Sequence, residues 1–282
     1  MQRTQDIVVP SAGRTTPRHI KHTTVNQYIK RLSIIIPCYN EAATIAIILD
    51  KISDVELPYN IEKEIIVVND CSKDDTELMI REYMEDNPGV PIRYFRQEIN
   101  QGKGAAVHVG IANATGDYLI IQDADLEYNP KEYVLLLAPV ISGDADIVYG
   151  SRFMGGNPHR ILFFWHTLGN KMLTLISNVF TNMNLTDAHT CYKLIPTNLI
   201  RQIPLQEKRF AFDSELNVKL SVIPSVRVYE VGISYYGRTF ADGKKIRFRD
   251  ALRSVFCIIK YSLFVSSKQS MIKSKTEASG VI

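Results

Sequence analysis

The sequence predicts an α/β fold with a mostly parallel central sheet and helices on both faces. Three observations predict it. From Ser33 to Gly150, short apolar runs alternate with segments of helical period, the pattern of strand–crossover–strand units. Tyr118-Leu119-Ile120-Ile121 alternates poorly between polar and apolar, as a buried strand does. The chain has 282 residues, 45% of them hydrophobic, enough for a substantial core.

Each element has its own local signal. Ser33–Pro37 is a strand stopped by its proline, and Asn40 is placed to cap a helix through Ile52. Glu64–Asn69 is the next strand, followed by a helix that Asp74 or Asp75 can cap and that ends at Glu85. Pro91–Gln97 reads as a strand, Gly104–Ala114 as a helix and Asp117–Asp123 as a strand. A helix over Pro130–Ser142 and a strand over Asp146–Gly150 complete the alternation. Beyond residue 150 the alternation weakens. Helical periods cover Arg160–Thr181, Thr197–Ile203 and Asp213–Val222. Val226–Ser234 reads as a late strand and Arg247–Val265 as a closing helix.

Composition excludes several classes. A net charge of +3 is too small to argue for nucleic acid. Cys38, Cys71, Cys191 and Cys257 are scattered without a C-x-x-C pair, which argues against structural zinc and for reduced thiols in the cytosol. The N-terminus is polar, with Pro10 and Pro17 and no apolar signal-peptide core. No stretch reaches the roughly 18–20 uninterrupted apolar residues of a membrane span. Ile161–Phe180 is broken by His166, Asn170, Lys171 and Asn178, and Val255–Val265 is short and contains Lys260. Both fit amphipathic helices. The expected organisation is a tail over 1–30, one domain over 31–265 and a polar tail over 266–282.

Asp123-Ala124-Asp125 leaves a buried strand, the place where open α/β sheets bind ligands. Two carboxylates one residue apart can share a hard divalent cation with substrate phosphates, although acidic turns are common. Tyr39 and Asp70 lie at neighbouring strand ends, where they can meet a nucleotide base or simply pack and cap. Gly102 and Gly104 let backbone approach a ligand, or open an ordinary helix. The Walker spacing is absent, as is a G-x-G-x-x-G after the first strand, which disfavours a dinucleotide-binding dehydrogenase.

Five segments in fixed order carry a family resemblance. Ile36-Pro37-Cys38-Tyr39-Asn40-Glu41 resembles the P-x-Y-N-E opening of family 2 glycosyltransferases of the GT-A fold. Val68-Asn69-Asp70-Cys71-Ser72-Lys73-Asp74 resembles their V-D-D-G-S-x-D loop, and Asn100-Gln101-Gly102-Lys103-Gly104 their N-x-G-K-G turn. Asp123-Ala124-Asp125-Leu126-Glu127 resembles the metal motif, and Gly150-Ser151-Arg152 the G-S-R after it. The resemblance runs from Leu32 to Phe264 and is strongest to the branch that glycosylates polyprenyl phosphates. Asn69 and Cys71 depart from the second motif, and Glu127 stands where mannose-transferring members commonly have Gln.

The resemblance implies roles. Pro37, Tyr39, Glu41, Asp70, Lys103 and Asp123 would bind a GDP- or UDP-hexose. Arg238 and Lys244, in a G-R…G-x-K-like loop, would close over its phosphates. Asp123 and Asp125, with Glu127 as ligand or solvated acid, would hold Mg²⁺ or Mn²⁺. Arg152, Arg160 and His166 would receive the acceptor phosphate, with Asp187 orienting the acceptor or capping a following strand. Asp125, Arg152 and Asp187 form the expected catalytic set. The implied reaction is inverting transfer of a hexose to a polyprenyl phosphate by a peripheral protein at the cytoplasmic membrane face. Transfer to a sugar hydroxyl, with Asp187 or Glu215 as base, and a non-catalytic nucleotide-sugar sensor are the alternatives.

Overall fold

A computed structural model describes residues 29–155, 164–238 and 248–265. Its centre is a seven-stranded sheet in the order β3-β2-β1-β4-β6-β5-β7. β1 (Arg31–Cys38), β2 (Glu62–Asn69), β3 (Ile92–Arg96) and β4 (Tyr118–Ile121) are mutually parallel, as are β5 (Ile147–Ser151) and β7 (Val228–Gly232). β6 (Lys193–Pro196) runs antiparallel to both β4 and β5 and joins the two parallel blocks. Leu32, Ile34–Ile36, Ile65–Val68 and Leu119–Ile121 are fully buried, so the central strands are covered on both faces, as parallel sheets require.

The chain builds β1, β2 and β3 outward, then returns to place β4 on the other side of β1. The loops after β1 and β4 therefore diverge, and a crevice opens at the carboxyl ends of these strands. α1 (Ile45–Ser53) packs on α2 (Thr76–Asp86), and α3 (Lys103–Asn113) packs on β1 and β2. A 3-10 turn, Pro130–Glu132, leads into α4 (Tyr133–Ile141), which packs on β5 and β7. α6 (Thr197–Gln202) lies against α3.

α5 (Phe164–Thr181), α7 (Phe212–Ser221) and α8 (Phe248–Val265) pack together around Ala211, Val218, Cys257, Ile258 and Tyr261. α5 is inverted relative to an ordinary surface helix. Its buried residues are Thr174, Ser177 and Thr181, whereas Phe164, Trp165, Leu168, Met172, Leu175 and Val179 are exposed at three- and four-residue spacing. α8 likewise exposes Leu252, Phe256, Ile259 and Leu263. No helix among the described residues is long and apolar enough to cross a membrane.

Two expectations need correction. Asn40 caps no helix. It adopts a left-handed φ of 51°, and α1 begins five residues later at Ile45. β6 is absent from the strand pattern read from the sequence. It is four residues long, ends in proline and begins with Lys193, whose side chain is fully buried. A lysine at a core position defeats a hydrophobicity reading.

Candidate active site

The loops after β1 and β2 are stitched to each other. The Asn40 amide donates to Ser72 Oγ (3.0 Å), and Asn40 Oδ1 accepts from the Lys73 amide (2.8 Å). The Glu41 amide donates to Thr76 Oγ1 (2.8 Å) and the Ala42 amide to Asp74 Oδ2 (3.1 Å). The polar residues of these two motifs thus fix one rim of the crevice, beside Pro37 at the end of β1 and the half-buried Tyr39.

Asp70 holds the next turn. Its carboxylate accepts the amides of Gln101 (2.8 Å) and Gly102 (2.7 Å). Burial raises its pKa against these bonds. The close backbone approach expected at Gly102 and Gly104 is made to the protein itself. A Cβ on Gly102, whose φ is +101°, would lie 2.7 Å from Arg209 Cγ, and one on Gly104 would lie 2.4 Å from the Glu207 carbonyl oxygen. The segment 207–209 therefore clamps the start of α3. Lys103, the first residue of α3, reaches Asp123 Oδ1 (2.6 Å) and Cys191 Sγ (3.4 Å). Burial alone would lower the Lys103 ammonium, but Asp123, with Cys191 and Asp213, holds it well above its ordinary value.

Asp123 and Asp125 follow β4. Burial, then the neighbouring carboxylates of Asp123 and Glu127, push the Asp125 pKa up to about 7, against the pull of Arg238. Arg238 Nη2 lies 3.0 Å from Asp125 Oδ2, and the same guanidinium meets Glu41 at 3.2 and 3.3 Å. Arg238 thus ties the post-β7 segment to both the β1 and β4 ends. Glu127 is spent differently from the expected ligand role. Its oxygens accept Tyr235 Oη (2.6 Å) and the Arg238 amide (2.5 Å). Among the described residues no three His, Cys, Asp or Glu side chains are arranged to hold a metal ion. Asp123 and Asp125 are nonetheless hard oxygen donors of the kind Mg²⁺ and Mn²⁺ take, and a bound cation would relieve the crowding that raises Asp125.

Across the crevice, Arg152 lies just past β5 over the Tyr235 ring (5.0 Å). Its Nε and Nη2 donate to Asp187 Oδ2 (2.7 Å) and Oδ1 (2.8 Å), and its amide donates to Oδ2 (3.1 Å). Asp187 has no solvent exposure. Burial would raise its pKa, but Arg152 holds it below the ordinary carboxylate range. Asp187 therefore orients Arg152 and is not placed as a base. Glu215 is not placed as one either. It is fully buried, accepts the amides of Gln206 and Glu207 and pairs with Lys219 at 2.5 Å. His166 lies half-buried on α5, while Arg160 and Lys244 fall outside the described residues.

Two features of this site were not legible in the sequence. Asp213, the first residue of a helical period in the sequence, pairs with Lys193 Nζ at 2.7 Å, and its carboxylate is held low by Lys193 and Lys103 against the effect of burial. Tyr128, Tyr192 and Tyr235 form an aromatic floor, with ring centroids 4.8 and 5.2 Å apart, between the Asp125 and Arg152 sides. Tyr128 lies 64 positions from Tyr192 and 107 from Tyr235, so no local signal marks the group. Taken together, Lys103, Arg238 and Arg152 are three cations held by carboxylates around one crevice, an arrangement suited to a phosphorylated ligand and a hard cation.

The family pattern described as Glycosyl transferase family 2 matches residues 33–203. The chain is 23% identical over 231 residues to a dodecaprenyl-phosphate galacturonate synthase of Rhizobium johnstonii, covering 82% of this chain and 66% of that protein. It is 28% identical over 236 residues to a dolichyl-phosphate β-glucosyltransferase of Dictyostelium discoideum, covering 76% and 68%. It thus spans about two thirds of the length of these relatives. Among solved structures, glucosyl-3-phosphoglycerate synthase from Mycobacterium tuberculosis with Mn²⁺, UDP and phosphoglyceric acid superposes with a TM-score of 0.63 at 16% identity, covering 83% of this chain and 78% of that one. That likeness establishes the GT-A fold.

Proposed function

Because the chain belongs to glycosyl transferase family 2, we propose that it transfers a hexose from a nucleoside-diphosphate sugar to a polyprenyl phosphate. The carrying observation is that Tyr235 joins the two sides: its ring lies 5.0 Å from the Arg152 guanidinium, which pairs with Asp187, and its hydroxyl donates to Glu127, two residues past Asp125. One side suits a sugar diphosphate and the other a second phosphate. The relatives named for lipid-phosphate acceptors support the choice of acceptor.

The donor would lie over the ends of β1, β2 and β4. Tyr39 and Asp70 would receive the base, and Lys103 and Arg238 the phosphates. Asp123 and Asp125 would hold Mg²⁺ or Mn²⁺, which when bound supplies Lewis-acid neutralisation of the leaving diphosphate. Arg152, oriented by Asp187, would hold the acceptor phosphate in line for displacement with inversion. A phosphate monoester has its second pKa near 6, so it is largely ionised at pH 7 and needs no general base. The burial of Asp187 and Glu215 favours this acceptor over a sugar hydroxyl, which would need an accessible carboxylate.

The exposed apolar stripes of α5 and α8 support a peripheral membrane seat, with α5 and α8 lying in the interface. The deciding experiment incubates the protein with radiolabelled GDP- and UDP-hexoses, with and without polyprenyl phosphate. Label entering the organic phase only with the lipid, and only with Mg²⁺ or Mn²⁺, is the expected result. Nucleoside diphosphate release that ignores the lipid would overturn the acceptor, and binding without release would favour the sensor.

A further inference from the structure

We propose that Glu230 is a positioning residue that sets the direction of Arg152 by anchoring the main chain of Asp187. This rests on the assignment of Arg152 to the acceptor phosphate. Glu230 lies in the middle of β7, beside Tyr149 of β5. Both of its carboxylate oxygens accept the Thr186 amide, at 2.8 and 3.0 Å, and one also accepts the Asp187 amide at 3.2 Å. Two consecutive peptide donors thus converge on one side chain 43 to 44 positions away.

The loop around Asp187 is held by three more elements. Ser151 Oγ and Thr186 Oγ1 share a hydrogen bond of 2.5 Å. Thr174 Oγ1 of α5 accepts the Ala188 amide at 3.2 Å, and Asn217 Nδ2 of α7 donates to the Ala188 carbonyl at 2.7 Å. Of these four holders only Glu230 carries a formal charge. It alone touches the peptide amide of the residue whose carboxylate grips Arg152. Arg152 is held to Asp187 through guanidinium Nε and Nη2 and through its main-chain amide, so the guanidinium's position follows that of Asp187. A misplacement of about 1 Å in a positioning group can cost on the order of a hundredfold in rate.

Glu230 also borders a cavity of about 360 Å³ lined by Met183, Leu185, Leu220 and Ile223. Room beside the side chain lets an isosteric amide replace it without a clash. Glu230→Gln keeps the shape but leaves one acceptor oxygen and turns an NH₂ donor toward peptide donors. Whichever way the amide turns, its NH₂ faces the Thr186 N–H, donor against donor, at the 2.8 or 3.0 Å position, so the 186–187 main chain must shift.

The test uses the full chain with farnesyl phosphate as acceptor and the nucleoside diphosphate chosen by the donor screen. E230Q is expected to raise the farnesyl phosphate KM about tenfold. It should leave the Kd of nucleoside diphosphate with Mn²⁺ within twofold of wild type, and shift the ¹⁵N resonance of Arg152 Nε–H. An unshifted Arg152 resonance overturns the proposal. So does an equal rise in acceptor KM and nucleotide Kd, which marks a general structural role. Arg152→Gln separates the two readings. If R152Q raises the acceptor KM and E230Q does not, the role of Glu230 is wrong. If neither raises it, the acceptor assignment of Arg152 is wrong, and the Arg152 resonance alone decides whether Glu230 positions the pair.

Discussion

Arg152 and Asp187 are two halves of one buried pair, so neither can be removed alone without leaving an uncompensated charge. Asp187→Asn should lower stability by about 3 kcal/mol, measured by urea denaturation. It should also lower transfer, since Arg152 loses its orientation. Asp125 behaves differently. Its partner Arg238 keeps Glu41 when Asp125 is gone, and the residue follows a strand and fills no core space. Asp125→Ala should retain a wild-type melting temperature while transfer falls on the order of a hundredfold or more at saturating Mg²⁺. Turnover near wild type would refute the cation assignment.

His189 gives a pH signature. Burial pushes its pKa down to about 4, and its Nε2 is buried with no hydrogen-bond partner among the described residues. The unfolded chain takes up a proton near pH 6.5 while the folded chain resists until about pH 4, so this residue's contribution to stability falls as pH drops through that window. The expected loss is at most about 3 kcal/mol. His189→Gln should flatten that part of the stability–pH curve. An unchanged curve would show that His189 is not the group responsible.

At the scale of elements, α3 is pinned at its first turn by the segment 207–209. The Ala105 amide donates to the Lys208 carbonyl at 2.9 Å, and Gly104 leaves no room for a Cβ. Gly104→Ala should cost about 2 kcal/mol, read from chemical denaturation, by overpacking this contact. Because Lys103 is its neighbour, donor affinity should weaken as well. α5 and α8 carry the other element-scale prediction. Trp165 is 76% exposed and Phe164 68%, whereas the polar Thr174 and Ser177 face inward. The wild type should float with phosphatidylcholine vesicles containing anionic phosphatidylglycerol, and Phe164→Ser/Trp165→Ser should float less. Wild-type protein that stays with the soluble fraction at low salt would exclude this seat.

At the scale of the molecule, the site gathers side chains from the ends of β1, β2, β4 and β5 and from the segments around β6 and β7. A ligand spanning it links both parallel blocks of the sheet. A saturating nucleoside diphosphate with Mn²⁺, at about a hundred times its Kd, should raise the melting temperature by roughly 5–10 °C. Nucleotide alone should raise it less. Equal shifts with and without the cation would argue that Asp123 and Asp125 take no part in binding.

The sequence by itself determined the β1–β4 half of the fold and the order of its motifs. There, strands are continuous apolar runs and each motif sits beside the strand that ends in it, so local periodicity and turn residues suffice. It also identified the residues that gather at the crevice, including Asp70, Asp123, Asp125, Arg152 and Arg238. Only the tertiary structure decided what those residues touch. Asn40 latches a neighbouring loop, Glu127 holds Tyr235 and the Arg238 amide, and Asp187 is locked beneath Arg152. β6, Lys193–Asp213 and Glu230 depend on partners that are distant in sequence. A buried charge is tolerated only where folding delivers its counter-charge or hydrogen bonds, and that delivery has no signature in local sequence.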